Sequence, residues 1–404
     1  MRRSLRDRRS YERGVKMNRE NAQILRITDS EFFACGKKFG LWQVFAAAVV
    51  CSLLYSTAML ADDDEHPFLP GPTRVVSTVP ANGDGNPYGV AFVPRNFPAG
   101  GTINPGDVLV SNFNNAPTMT GGNLQGTGTT IVDVPPNGPL TLFFQSKTPT
   151  GLTTALNILR GGFVLVGNFP APTGQCGDPS TGSGSIIVID KNGNVVLTYT
   201  DASVQGPWDS ALFDKGSKAK YFVANALTGQ IVRYDLDVSP SGVTFNNPTV
   251  IASGYQHVCD TVTFVDAPTG LVYDHEQDVL YVASTKDNAV YAVHDAGDRT
   301  TDGGIGKLIY QDAKHLHGAL GLAMAPNGNL LVTNNDNINI DPAQPSELVE
   351  FTVEGEFVKE ISLDPTPGGS FGLAVERQGR KAKLAAVDDS VNLFVIWTLV
   401  DHED

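Results

Sequence analysis

Polar residues able to bind a cation recur at one place in the sequence, where an apolar run ends in a small residue followed by Asn or Asp. Oxygen atoms are the donors that Ca²⁺ or another hard divalent metal prefers, with about 6–8 of them around each Ca²⁺. Asn and Asp also cap turns by bonding to nearby backbone, and this structural role is the alternative. The candidate metal ligands are Asn112, Asn168, Asn225, Asn334 and Asp388.

Three histidines form a second group of candidates. His257, with Asp260 close by, precedes one copy of this pattern, and His315 and His317 precede the next copy. Imidazole groups bind transition metals and move protons near neutral pH, so these residues are candidate catalytic groups. The His-x-His spacing has no fixed partner motif, and exposed loop histidines without a chemical role are the alternative.

Asp209 is the third candidate, because it follows Pro207-Trp208 at a place where other copies of the pattern have Gly. A carboxyl group at the end of a strand can act as a general base or as a ligand. It can equally hold Trp208 in place by bonding to backbone. The sequence leaves these two roles open.

The elements that must position these residues are β-strands. The full pattern consists of Gly, two or three apolar residues, a turn and a β-branched run, and it occurs six times. The last residues of these runs, with Ser284 in the fourth copy, are 50 to 59 residues apart. A third apolar strand follows each run, and a fourth follows five of them. This repetition predicts an all-β, six-bladed β-propeller with four-stranded blades.

The ends of the chain fit a closed ring. The sixth copy stops after its third strand, and an unassigned strand at about 74–79 precedes the first copy. We expect this N-terminal strand to join the last blade as its outer strand, because an open ring would expose sheet edges. In such a ring the loops that carry the candidate residues surround one mouth of the central channel.

Three stretches, Pro87–Ala91, Ala283–Val290 and Leu322–Leu330, resemble the NHL-repeat-like six-bladed propellers of exported bacterial proteins. These proteins are distant relatives of the lactonase and lyase propellers, and the resemblance covers roughly residues 74–400. It implies the propeller fold, and it is compatible with the histidine candidates because lyase relatives use loop histidines. The architecture hosts binding proteins and several enzymes, so the resemblance implies no single activity.

Charge is distributed unevenly along the chain. Residues 1–61 hold 11 basic and 5 acidic residues, whereas residues 62–404 hold 18 basic and 38 acidic residues, a net charge of −20. An acidic body of this kind is repelled by nucleic acid and by anionic membranes. The composition therefore excludes nucleic acid as a partner and leaves a membrane only through an N-terminal anchor.

Residues 1–61 have the features of a leader. Residues 39–61 contain no charged residue, Lys37 and Lys38 precede them, and four acidic residues follow. This is the pattern of an export signal, and the run is also long enough to be an uncleaved membrane anchor. In both cases we expect residues 62–404, a single propeller domain, to be exported to the periplasm or secreted.

Four cysteines are present, and Cys35 and Cys51 belong to the leader. Cys176 and Cys259 remain in the body, both in turn-rich segments. An isolated pair in an oxidising compartment favours a disulfide, and two unrelated buried thiols are the alternative.

Two functions fit these observations. The first is an exported binding or scaffold propeller, acting as a monomer, that holds a protein, a glycan or a small molecule at the channel mouth. The second is a metal-dependent lactonase- or lyase-like enzyme on the same face. In the enzyme, the Asn and Asp candidates would hold the metal, and Asp209 or a histidine would move the proton.

Overall fold

Six four-stranded antiparallel sheets make up the computed structural model, which describes residues 72–119, 121–148, 150–378 and 381–400. The prediction of an all-β, six-bladed propeller is confirmed, and no helix occurs in these ranges. It follows that no helix long and apolar enough to cross a membrane is found there. The predicted leader, residues 1–61, lies outside the described residues.

The first three blades follow one another along the chain, each running from its inner strand to its outer strand. Blade 1 contains β2 (Gly85–Phe92), β3 (Val108–Asn114), β4 (Thr130–Val134) and β5 (Thr141–Gln145). Blade 2 contains β6 (Leu152–Leu159), β7 (Phe163–Asn168), β8 (Ser185–Asp190) and β9 (Val195–Tyr199). Blade 3 contains β10 (Pro207–Asp214), β11 (Lys218–Asn225), β12 (Gln230–Ser239) and β13 (Gly242–Ser253).

A short hairpin, β14 (Val258–Asp260) and β15 (Phe264–Asp266), separates blade 3 from blade 4. Blade 4 contains β16 (Pro268–Asp274), β17 (Val279–Ser284), β18 (Ala289–His294) and β19 (Lys307–Tyr310). Blade 5 contains β20 (Ala319–Met324), β21 (Leu330–Asn334), β22 (Glu347–Phe351) and β23 (Phe357–Ser362). Blade 6 contains β24 (Ser370–Gln378), β25 (Lys381–Asp388), β26 (Leu393–Val400) and, as its outer strand, β1 (Arg74–Ser77).

The N-terminal strand closes the ring, as predicted. Strand β1 is slightly shorter than the predicted range and pairs antiparallel with β26, with Arg74 opposite Ile396 and Ser77 opposite Leu393. The inner strands β2, β6, β10, β16, β20 and β24 contact one another in sequence, and β24 contacts β2. The first and last parts of the propeller are therefore joined in one blade.

Packing between neighbouring blades forms a series of buried cores. One core joins blades 1 and 2, and four more join each following pair up to blades 5 and 6. A further core lies on the axis and at the seam between blades 6 and 1. Every blade buries both faces of its sheet, which explains why the second and third strands read as continuous apolar runs.

The recurring Gly of the sequence pattern has a geometric cause. Each inner strand carries a register shift near its start, and within that shift the strand passes very close to its neighbour. A Cβ on Gly321 would lie 2.4 Å from Phe371 O, and one on Gly372 would lie 1.9 Å from Tyr88 O. A side chain at these positions would push adjacent blades apart.

The small residue of the pattern links one blade to the next. Ser111 Oγ accepts a hydrogen bond from Gly89 N and donates one to Thr153 O in blade 2, both at 2.9 Å. Thr333 makes the equivalent two bonds between blades 5 and 6. A hydroxyl at this position therefore satisfies two buried backbone groups that a sheet ladder does not pair.

Candidate functional site

The predicted ligands lie where the second strands end, on the face that also carries the β14–β15 hairpin and the loops before each inner strand. We call this the hairpin face. Asn225 shows what such an anchor does: its Nδ2 donates to Ser203 O at 2.7 Å, and its Oδ1 accepts from Gln205 N at 3.0 Å. Both partners lie in the loop that leads into the inner strand, so the side chain clamps that loop.

Asn334 clamps the corresponding loop of blade 5 in the same way. Its Nδ2 donates to His315 O at 2.8 Å, and its Oδ1 accepts from His317 N at 3.0 Å. The amide group also donates to Glu347 Oε2 at 3.1 Å. This brings Asn334 together with two of the three predicted histidines and with a glutamate that the sequence did not single out.

Asn112 makes only half of this clamp. Its Nδ2 donates to Thr78 O at 3.2 Å, as in blades 3 and 5, and also to Thr130 Oγ1. The residue that would donate to its Oδ1 is Pro80, which has no N–H group. The buried Oδ1 accordingly has no hydrogen-bond partner among the described residues.

The remaining two predicted ligands also bond nearby groups. Asn168 Nδ2 donates to Ser185 Oγ at 2.5 Å, and Asp388 Oδ1 accepts from Ser390 N and Oγ. All five anchors thus use polar atoms to hold strands and loops. Within the described ranges, no group of three His, Cys, Asp or Glu residues is arranged to hold a metal ion, and a cation at this face stays a prediction.

Asp209 lies on the channel axis. In the strand register it occupies the position that Gly fills in four other blades, and its side chain lines a cavity of about 50 Å³. All six inner strands contribute to this cavity, with Thr154 and Asn157 among its polar residues. That volume holds a few water molecules.

The carboxyl group of Asp209 is tied to the next blade. Its Oδ2 accepts a hydrogen bond from Leu271 N at 2.9 Å, which links blade 3 to blade 4. The group lines the cavity and is partly accessible there, and desolvation by its surroundings raises its pKa to about 8. The carboxyl group is therefore mostly neutral at pH 7, when it can donate a hydrogen bond as well as accept one.

Aromatic rings fill the channel directly beside Asp209, on the hairpin face. Tyr88 stacks on Phe113 and on Phe371, with centroids 4.5 and 4.3 Å apart. Trp208 stacks on Phe264 of the hairpin at 5.8 Å. These buried rings occupy the channel mouth at which the sequence predicts a ligand.

The predicted disulfide is present. Cys176, in the β7–β8 connection of blade 2, bonds to Cys259 on the hairpin, with the two Cα atoms 5.2 Å apart. Gln125 Nε2 of blade 1 donates to Val262 O at 2.8 Å, and Asn337 Nδ2 of blade 5 donates to Asp266 Oδ2 at 2.7 Å. The hairpin is thus fixed to three blades other than its own.

The three predicted histidines are in different environments. His257 is exposed, and its Nδ1 lies 3.1 Å from Tyr255 O. His315 and His317 are buried rather than exposed. His315 stacks on Phe357 with ring centroids 3.8 Å apart, and its Nδ1 lies 4.0 Å from Glu360 Oε2.

Two glutamates that sequence reasoning missed complete a polar cluster in blade 5, formed by His315, His317, Asp336, Glu347 and Glu360. Five buried atoms of this cluster have no hydrogen-bond partner among the described residues: His315 Nδ1, His317 Nε2, Asp336 Oδ1, Glu347 Oε1 and Glu360 Oε1. Unpaired buried polar atoms are rare in native proteins. Their concentration here distinguishes this cluster from the anchors of the other blades.

Like charges and burial act together in this cluster. Burial, with the neighbouring carboxyl groups of Asp336 and Glu360, raises the pKa of Glu347 to about 8, against the hydrogen bond from Asn334. Burial also raises the pKa of Glu360, although the two histidines oppose the shift. The cluster can therefore take up or release protons near neutral pH.

Exposed apolar side chains are unequally shared between the two faces. Outside the strands of the six blades, every large exposed apolar residue of the described ranges lies on the hairpin face. The residues are Val79, Met119, Leu124, Val258, Val262, Ile340 and Val391. The other large exposed apolar residues lie on outer strands, as Leu142 and Phe357 do.

Comparison with known proteins finds only distant likenesses. No family model and no curated protein matches the chain. Among solved structures, a gluconolactonase from Xanthomonas campestris is 13% identical, with 80% of this chain and 89% of that chain covered and a TM-score of 0.49. Virginiamycin B lyase from Staphylococcus aureus is 13% identical, with 82% and 89% covered and a TM-score of 0.43. These values assign no activity to the chain.

Proposed function

We propose that the chain is an exported, monomeric binding propeller that docks a protein partner on its hairpin face. The observation that carries this proposal is the set of exposed apolar side chains on that face, at the channel mouth predicted from the sequence. Exposed apolar patches rimmed by polar residues are typical of interaction sites. The opposite face offers no comparable group on its described connections.

A protein suits this surface better than a glycan. The large exposed apolar side chains on the hairpin face are aliphatic or Met, whereas the aromatic rings that would stack on sugars are buried in the channel. The disulfide and the anchors hold the loops in place, so little conformational entropy is lost on binding. Export is supported by the leader pattern and by the disulfide, which forms in oxidising compartments.

Site-specific photo-crosslinking in cells of the source organism tests this proposal. A photoreactive residue at Val262 on the hairpin should give an adduct with one protein, and Met119→Asp should reduce that adduct about tenfold. The matched control is the same photoreactive residue at Asn327, an exposed position on the opposite face. Equal adducts from both positions, or none from Val262, would overturn the proposal.

A second function, a metal-dependent hydrolase or lyase, is favoured by the cluster in blade 5. Its unpartnered imidazole and carboxylate atoms are donors that suit divalent metals such as Zn²⁺. The described arrangement does not fit a cation without side-chain rotation, so no catalytic step is derived through one. Metal analysis of the purified protein, with the melting temperature measured in Ca²⁺ and in Zn²⁺, tests this function: no bound metal and no shift would reject it.

A further inference from the structure

The β14–β15 hairpin crosses the channel axis. The hairpin belongs to the loop before blade 4, yet the ring of Phe264 lies 5.2 Å from Phe113 in blade 1, which is directly across the propeller. It also lies 5.3 Å from Phe169 in blade 2 and 5.8 Å from Trp208 in blade 3. Phe264 therefore occupies an aromatic slot built by three other blades.

The backbone of Phe264 is strained when its ring occupies this slot. Its φ angle is +71°, in the left-handed region that bulky side chains avoid. Such outliers persist only where the surrounding structure fixes them, and they concentrate at ligand clamps and switch regions. Burial of the ring opposes this strain, and the two effects are of the same order.

The disulfide is the strongest constraint on the hairpin. Cys176 and Cys259 are 83 residues apart in sequence, so their bond closes a long loop. The other described contacts that join the hairpin to distant blades include single hydrogen bonds from Gln125 and Asn337. Without the disulfide, release of Phe264 would relieve backbone strain and lose only noncovalent contacts.

A polar cavity on the channel axis is lined by the residue that follows Trp208 in β10. Trp208 forms one wall of the slot, and the adjacent residue, Asp209, lines the cavity together with Thr154 and Asn157. Trp208 Nε1 is buried and has no hydrogen-bond partner among the described residues. A buried donor of this kind favours a ligand that supplies an acceptor.

We propose that the hairpin is a disulfide-latched lid over a binding site for a small, neutral aromatic alcohol such as a phenol. The ring of the ligand would replace Phe264 between Phe113, Phe169 and Trp208, and its hydroxyl would meet the Trp208 indole N–H or the Asp209 carboxyl group. The site lies beneath the hairpin, which also carries Val258 and Val262 of the proposed docking surface, but the inference does not depend on that function.

The opening step is a thiol–disulfide exchange with a dithiol. The dithiol loses two electrons and two protons and becomes a disulfide, while Cys176 and Cys259 gain them and become thiols. The neutral character of the ligand follows from the slot, which buried aromatic rings line and where burying an unpaired charge is costly. The raised pKa of Asp209, about 8, reflects the same cost of desolvation.

Two measurements on the full chain test the lid, with and without dithiothreitol. Amide hydrogen exchange in Val258–Asp266 should rise at least tenfold on reduction, whereas exchange in the core strand β21 should stay unchanged. Calorimetric titration with p-cresol should give at least tenfold tighter binding to the reduced protein. Unchanged exchange in the hairpin, or equal p-cresol affinity in both states, would overturn the proposal.

Phe264→Gly keeps the proposal testable if the reduced protein fails to fold. This variant removes both the ring and the strain, so it should bind p-cresol with the disulfide intact. Phe351→Ala, which opens an apolar cavity in the core of blade 5, is the matched control. Phe264→Gly should prefer p-cresol to toluene at least fivefold, and the control should show no such preference. Equal affinity of Phe264→Gly for the two probes would overturn the assigned site.

Discussion

Asp209, which lines the cavity on the channel axis, and Glu347, buried in blade 5, both have a carboxyl pKa raised to about 8. Asp209 is an isolated acid that accepts a hydrogen bond from the next blade. Glu347 shares its surroundings with Glu360 and Asp336 and keeps one oxygen without a described partner. One group links two blades, and the other belongs to a cluster within a single blade.

The difference shows how the same pKa arises from two arrangements. For Asp209, desolvation alone raises the pKa and backbone hydrogen bonds oppose it. For Glu347, desolvation is joined by the repulsion of neighbouring carboxyl groups. An isolated acid titrates by itself, whereas coupled acids exchange protons with one another. The free energy of unfolding should therefore depend mainly on packing at the channel axis and mainly on charge in the blade 5 cluster.

The largest effect should come from Trp208→Ala. Removing this ring leaves a cavity between four aromatic neighbours, and large-to-small changes of this kind cost about 3–5 kcal/mol of unfolding free energy. His315→Ala, in the blade 5 cluster, loses the stack on Phe357 and should cost about 1 kcal/mol. Denaturant unfolding measures both, and the reverse order would contradict the comparison.

The sequence predicts the features that repeat. Gly321 and Gly372 mark the close approach of inner strands, and the run before each anchor marks a buried second strand. Counting these copies is enough for six blades and for the closing strand β1. Asp209 is predicted because it breaks the Gly pattern, and the pair Cys176 and Cys259 because only these two cysteines lie outside the predicted leader, residues 1–61.

Features that depend on contacts across the ring could not be predicted in this way. The strands β14 and β15 have three residues each, too few to show a period-2 pattern. The role of Phe264 depends on Phe113, about 150 positions earlier in the chain. Glu347 and Glu360 read as ordinary residues of strands β22 and β23, and only packing brings them near His315 and His317.

The next largest effect should come from Asp209→Asn, which should change how the free energy of unfolding depends on pH. An acid whose pKa rises on folding, here from 3.8 to about 8, binds its proton more tightly in the native state. Stability therefore falls as pH rises through that interval, by at most about 1.4 kcal/mol per pH unit. Asn keeps the acceptor for Leu271 N and does not titrate. The free energy of unfolding of the variant should therefore increase relative to that of the wild type between pH 5 and pH 8.

Asp178→Asn is the matched control for this measurement. Asp178 lies on an exposed loop, and hydrogen bonds from Ser180 lower its pKa. Its contribution to stability is present above its unfolded pKa and is lost only as pH falls further. A plot of its unfolding free energy against pH should therefore run parallel to that of the wild type from pH 5 to pH 8. If the curve for Asp209→Asn is also parallel to that of the wild type, the prediction that Asp209 makes stability depend on pH is wrong.

The smallest effect should come from Glu347→Gln in the same pH range. Gln can still accept the hydrogen bond from Asn334, and the pKa of Glu347 rises only from 4.5 to about 8, a shorter interval than that of Asp209. The gain in unfolding free energy over the wild type should therefore be smaller than that of Asp209→Asn. Glu360→Gln should behave similarly, and the double variant should change the slope by less than the two single changes added together. Additive slopes would show that the two glutamates titrate independently, and the contrast between an isolated and a coupled acid would then fail.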